Sequence, residues 1–179
     1  MEDVVRIDIM PMTALKVSVP FNVQNITEAV VTVLKYENGA PVYADGEPVY
    51  VSIDEEKLFA ARLLSLNLGS DAIADAEMGE GTTHKVTEKR DTAGIVRTHT
   101  LQVPIEVGFQ AVRQQQNALQ QTDFHIVLTT CDGTRYLAYG LPNTSQFTID
   151  DQKGETAQMT VKAVVQSMSG FVKIIDNIE

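Results

Sequence analysis

Between Thr156 and Ser167 the chain sets Ala157, Met159, Val161, Ala163 and Val165 against Gln158, Thr160, Lys162 and Gln166. A period of two places the two sets on opposite faces of a β-strand. Such a strand needs partners, and the preceding sixty residues supply them. Thr98–Pro104 is a β-type run in which Leu101 and Val103 face away from Gln102. The spacing of Phe109, Val112 and Leu119 predicts a helix over 109–121. Phe124, Ile126 and Leu128 mark a strand over 124–130. Cys131-Asp132-Gly133-Thr134 then supplies a hairpin turn, because Asp-Gly tolerates the positive φ that tight turns require. Thr134–Tyr139 returns, Ser145–Ile149 is a further short strand, and Asp150–Glu155 is a polar turn. The module over 98–175 therefore reads as strand, helix and antiparallel meander.

The N-terminal half is also β in character. Val5, Ile7 and Ile9 alternate with Arg6 and Asp8 up to Pro11, and Leu15, Val17 and Val19 alternate up to Pro20. The β-branched density of Ala29–Tyr36 favours a strand. Asn38-Gly39 and Asp45-Gly46 are turn signals. Asp54, followed by Glu55 and Glu56, caps a helix predicted to run to about Leu66, with Gly69 as its stop.

Gly69 to Gly94 breaks the pattern. It holds four glycines, few apolar residues, and acids Asp71, Asp75, Glu77 and Glu80 ahead of Lys85, Lys89 and Arg90. It reads as a long flexible loop within a single domain of 179 residues, and loops of that length are commonly functional. The fold class expected is mainly β with one or two helices (α+β): an antiparallel β-sandwich or barrel with a flanking helix.

Chemistry is sparse. The net charge of −10 argues against a general nucleic-acid or anionic-membrane binder. One cysteine excludes an intrachain disulfide framework. No stretch approaches the roughly 18 apolar residues of a membrane-spanning helix. The acidic start, Met-Glu-Asp, is unlike a signal peptide and points to synthesis in the cytoplasm. His84, His99, His125 and Cys131 lack zinc-site spacing. His125 and Cys131 share strand parity but stand roughly 20 Å apart at about 3.3 Å per residue, which excludes a dyad within that strand. Asp150-Asp151 lacks the regular oxygen-ligand spacing of a calcium loop. No phosphate-binding loop, nucleophile elbow or His-Glu-x-x-His motif is present. The expectation is a protein with no enzymatic activity, metal or cofactor.

The other face of the 109–121 helix is rich in neutral amides: Gln110, Gln114, Asn117, Gln120 and Gln121, with Arg113 among them. Such a face suits hydrogen bonding to another protein surface. The candidate interface is therefore Asp71, Asp75, Glu77, Glu80, Lys85, Lys89 and Arg90 of the loop with Gln110, Arg113, Gln114 and Asn117 of the helix.

The order of THTLQVP (98–104), a helix closing NALQQ (117–121), DFHIVLTTCDGTRYLAYG (123–140) and GETAQMTVKAVVQS (154–167) resembles structural tail proteins of bacteriophages and prophages of gut bacteria. The likeness covers about residues 97–175 and rests on element order and turn chemistry. It implies a tail tube-like or tail-completion-like subunit, synthesised in the bacterial cytoplasm and carried in a virion or phage-like particle. Its partners would be further copies of itself in a ring, and other tail proteins. The alternative from the residues alone is a monomeric β-sandwich that binds protein or carbohydrate through its loops. The absence of tryptophan weakens the carbohydrate version.

Overall fold

The computed structural model describes residues 3–19, 26–69, 74–92, 94–152 and 158–175. Strand β1 (Val4–Pro11) leads through a 3₁₀ turn (Met12–Ala14) into β2 (Leu15–Ser18) and then β3 (Glu28–Leu34). Two miniature hairpins follow: β4 (Tyr36–Glu37) with β5 (Ala40–Pro41), and β6 (Tyr43–Ala44) with β7 (Glu47–Pro48). After β8 (Tyr50–Ser52) come helix α1 (Glu55–Ala61), β9 (Leu64–Leu68), β10 (Ala76–Met78), β11 (Thr83–Asp91) and β12 (Gly94–Val107). Helix α2 (Phe109–Gln121) precedes β13 (Phe124–Thr130), β14 (Arg135–Ala138), β15 (Gln146–Gln152), β16 (Gln158–Ser167) and β17 (Val172–Ile175).

Thirteen strands join one sheet in the order β15-β16-β12-β10-β9-β1-β13-β14-β17-β3-β2, with β11 also on β12 and β8 also on β3. The expected β-rich architecture with two helices is present. It departs from the expectation in one way. The β9–β10 and β3–β17 pairs are parallel, so the sheet is mixed. Of the two arrangements expected, it is sandwich-like, since among the described residues the sheet does not close into a barrel.

Two cores flank the centre. Ile7, Ile9, Ile126 and Leu128 point into one, roofed by β12, β16, β15 and α2. Met10 and Val127 point into the other, roofed by β2, β3 and α1. Each fully buried Leu or Ile here contributes about 1.5–3 kcal/mol of burial free energy. Strand β1 is buried on both faces from Arg6 to Met10. Arg6 and Asp8 are 4% and 0% exposed. They survive burial as a pair, Arg6 Nε to Asp8 Oδ2 at 2.9 Å. Ser65 Oγ donates to Asp8 at 2.8 Å, and the Phe59 ring lies 3.9 Å beneath the Arg6 guanidinium. Burial nonetheless raises the Asp8 pKa above its ordinary value, the Arg6 charge opposing it only in part.

The 54–66 helix is shorter than expected. Asp54 does cap it, accepting from the Lys57 amide at 2.8 Å, but the chain turns extended at Arg62. Leu64 and Leu66 straddle Ser65 with period two, and pairing with β1 buries both completely. Period-two burial wins over helical continuation there. Helix α2, by contrast, spans 109–121 as its periodicity predicts. It starts at Gly108 (φ 96°), where an added Cβ would stand 2.8 Å from Ala76 Cα.

Both Asn38-Gly39 and Asp45-Gly46 form turns with positive φ at each residue, as expected of hairpin tips. Their likeness has a source in the sequence. Tyr36-Glu-Asn-Gly-Ala-Pro-Val42 is followed at once by Tyr43-Ala-Asp-Gly-Glu-Pro-Val49. At the base of these two hairpins and of β3/β8, the amides form a closed ring. Lys35 donates to Val49 O (2.9 Å), Val49 to Val42 O (2.9 Å) and Val42 to Lys35 O (3.0 Å).

Candidate functional site

The stretch 69–94 is not one loop. Residues 76–78 form β10, whose Ala76 and Met78 lie in the core. Residues 83–91 form β11, which pairs with β12 over nine consecutive registered positions from Thr83↔Gln102 to Asp91↔Gly94. The segment carries little apolar periodicity because β11 has solvent on both faces. Lys85 through Arg90 are all exposed. The signal that marks it is the β-propensity of Thr83, Val86 and Thr87 on one side and of Ile95, Val96 and Thr98 on the other.

Pro104 explains why β11 parts from β10. A proline inside a sheet is tolerated where no ladder N–H is needed. The Pro104 carbonyl accepts from the Gly79 amide at 2.7 Å, so its peptide groups face the β10–β11 side of β12, at the break between those strands. Counting by twos along the antiparallel ladder, Thr83, Lys85, Thr87 and Lys89 bond to β12. The peptide groups of Val86, Glu88 and Arg90 point outward, and among the described residues no strand pairs with them.

At the opposite end of the same four strands lies β15, paired to β16 from Gln146↔Val164 to Gln152↔Gln158 and, among the described residues, to no strand on its other side. The Gln120 side chain of α2 donates to the Phe147 carbonyl at 3.4 Å. The outward carbonyl of Phe147 implies that Ile149 also turns its peptide groups to the free edge. The result is an antiparallel unit, β15-β16-β12-β11, with two open edges. Its outer face is polar: Thr87, Lys85, Lys89, Thr98, Thr100, Gln102, Lys162, Thr148 and Asp150.

Of the predicted interface residues, Lys85, Lys89 and Arg90 lie on β11 and are exposed, and Glu80 is exposed in the turn before it. Gln110, Arg113, Gln114 and Asn117 form the exposed side of α2. Glu77 is half-buried in β10. Asp75 is a correction: it points inward, accepting from Arg62 Nε and Nη2 at 2.9 and 3.0 Å and from the Ser65 amide at 2.8 Å. It fastens the α1–β9 corner to β10. Asp71 lies outside the described residues. Sequence reasoning missed Val86, Glu88 and Ile95 on the inner side of the hairpin and Asp150 on the outer side of the opposite edge strand.

The base of the hairpin is packed. His99 is fully buried on β12, with Nε2 3.0 Å from the Ser169 carbonyl and its ring edge-on to Phe171 at 4.6 Å. His84 meets the same Phe171 at 5.8 Å. Arg97 holds Glu88 at 3.1 Å and donates to the Met168 carbonyl at 2.7 Å. His125 sits apart on β13, stacked on Tyr139. Among the described residues no three His, Cys, Asp or Glu side chains gather as a metal site, and no helix is long and apolar enough to cross a membrane. An open cleft of about 370 Å³ beside the hairpin base is lined by Asp3, Leu68, Glu80, Thr82 and His84. No protein-family model, curated protein or solved structure matches the chain.

Proposed function

We propose that this chain is a non-enzymatic structural subunit of a phage-like tail assembly that joins further copies of itself edge to edge, as a ring or tube. One observation carries the reading. Strand β15 is antiparallel to β16, β16 to β12, and β12 to β11. The two open edges of the unit therefore run antiparallel to each other. A second copy in the same orientation can set its β15 against β11 and continue an antiparallel sheet with inner and outer faces preserved. Repetition of one such heterologous contact closes a ring or extends a filament.

Charge supports the pairing. The β11 edge carries Lys85, Lys89 and Arg90 in a chain of net charge −10, and Asp150 lies exposed on β15, on the same outer face as Lys85 and Lys89. Lysines on an open edge oppose indiscriminate strand pairing, here including β11 with itself, while an acidic edge is accepted. The resemblance of residues 97–175 to phage tail proteins gives the assembly its setting.

Light scattering across a range of concentrations tests the reading, with electron microscopy of the concentrated sample. Ring or tube formation is expected, lost in Lys85→Glu/Lys89→Glu. A chain that stays monomeric at high concentration, and binds a glycan or peptide through its loops, is instead the binding module considered above.

A further inference from the structure

We infer that the inner face of the β11–β12 hairpin docks on helix α2 of the neighbouring copy, against the stripe Arg113, Gln116, Asn117 and Gln120. This contact rests on the edge-to-edge reading above and names what covers the hairpin in the assembly.

The inner face of the hairpin continues the side of β12 that carries buried Leu101 and Val103. It presents Val86, the Glu88–Arg97 ion pair, Ile95 and, opposite Ile95, Arg90, with Met168 alongside. Val86, Ile95 and Met168 are 36%, 43% and 46% exposed, an apolar extension of the core that no described residue covers.

Helix α2 lies on this same inner side of the sheet, packed on β15, with Val112 and Leu119 in the same core as Phe147 and Met159. The Gln120 contact with the Phe147 carbonyl places one flank of the helix along the free edge of β15. Residues three, four and seven positions before Gln120 share that flank: Asn117, Gln116 and Arg113. A strand added to β15 with its inner face on the inner side must therefore bring that face against this stripe. The chemistry fits. Neutral amides can follow a new strand with hydrogen bonds and present no charge that apolar Val86 would desolvate at high cost. The occupant is a second copy, because α2 and β15 together supply both the edge and the flank.

The test uses full-length protein carrying Cys131→Ser. Val86→Cys and Asn117→Cys are made as separate single variants, mixed at assembling concentration and treated with a short bis-maleimide. A linked species of twice the chain mass is expected in the mixture, well above either variant alone. A second pair, Lys89→Cys with Asp150→Cys, reports the strand edges. Linking of the second pair without the first overturns the helix contact and leaves edge pairing standing. Linking of neither, with a mass of one chain throughout, overturns both. As an independent measure, Val86→Asp should weaken association at least tenfold with the thermal midpoint of the unassembled chain unchanged. Unaltered association counts against the contact.

Discussion

The Gly140 amide donates to Nδ1 of His125 at 3.0 Å, so this buried imidazole is an acceptor on that nitrogen and is neutral. Its other hydrogen bond is to the Met12 backbone. Protonation would set an N–H against an N–H in a site 1% exposed. Burial pushes the His125 pKa down to about 4, the Met12 carbonyl and Asp123 opposing it.

A pH dependence follows. Between about 4 and the ordinary 6.5 the unfolded chain binds a proton that the folded chain refuses, so stability falls as pH falls through that window. The His125 contribution amounts to about 2 kcal/mol at pH 5 and about 3 kcal/mol at pH 4 relative to neutrality. Burial lowers the His99 pKa as well, adding with the same sign. Urea denaturation at pH 7, 6 and 5 measures the slope, and His125→Gln should flatten it. An unchanged slope in that variant rules out His125 as its source.

Arg6 and Asp8 share one buried ion pair. Arg6→Ala leaves the Asp8 carboxylate without its partner and should cost about 3–5 kcal/mol. Replacing both by apolar residues of similar volume should recover most of that loss. Equilibrium unfolding of the two variants decides the matter; equal losses would mean the pair itself, rather than an orphaned charge, sets the cost.

Two glycines with positive φ should respond differently to alanine. At Gly46 the space is open, so Gly46→Ala should cost about 1–2 kcal/mol of backbone strain. At Gly108 the new methyl also meets Ala76 and the Asp75 carbonyl at 2.8 Å. Gly108→Ala should lower the thermal midpoint by at least twice as much, and equal shifts would show that the β10–α2 contact gives way freely.

The hairpin should be separable from the cores. Joining Thr87 to Thr98 through Asn-Gly, in place of Glu88–Arg97, keeps buried His99 and, among the described side chains, removes only exposed or half-buried ones. Its thermal midpoint should stay within about 4 °C, equivalent to about 1 kcal/mol in a chain of this size, while ring formation is lost. Deletion of 71–90 is a different experiment, since it removes Ala76 and Met78 from the core and should unfold the chain.

The sequence alone determined what is local. Asp132-Gly133 and Asn38-Gly39 set hairpins because so few residues accept those backbone angles. Phe109, Val112 and Leu119 set helix α2 by spacing, and the alternation of Met159, Val161, Ala163 and Val165 set β16. Tertiary structure decided the rest. Leu64–Leu68 became a strand because β1 lay ready to pair with it. Arg6 and Asp8 went inside because α1 closed over β1, and each charge made the burial of the other tolerable. Beyond His84 at its base, β11 carries no burial period, since Lys85 to Arg90 are exposed on both faces, and its registration on β12 makes it a strand. The open edges of β11 and β15 are likewise invisible locally. Whether a strand is an edge depends on which distant segments pair with it, and side-chain periodicity records the face a residue occupies but not the neighbour its peptide groups find.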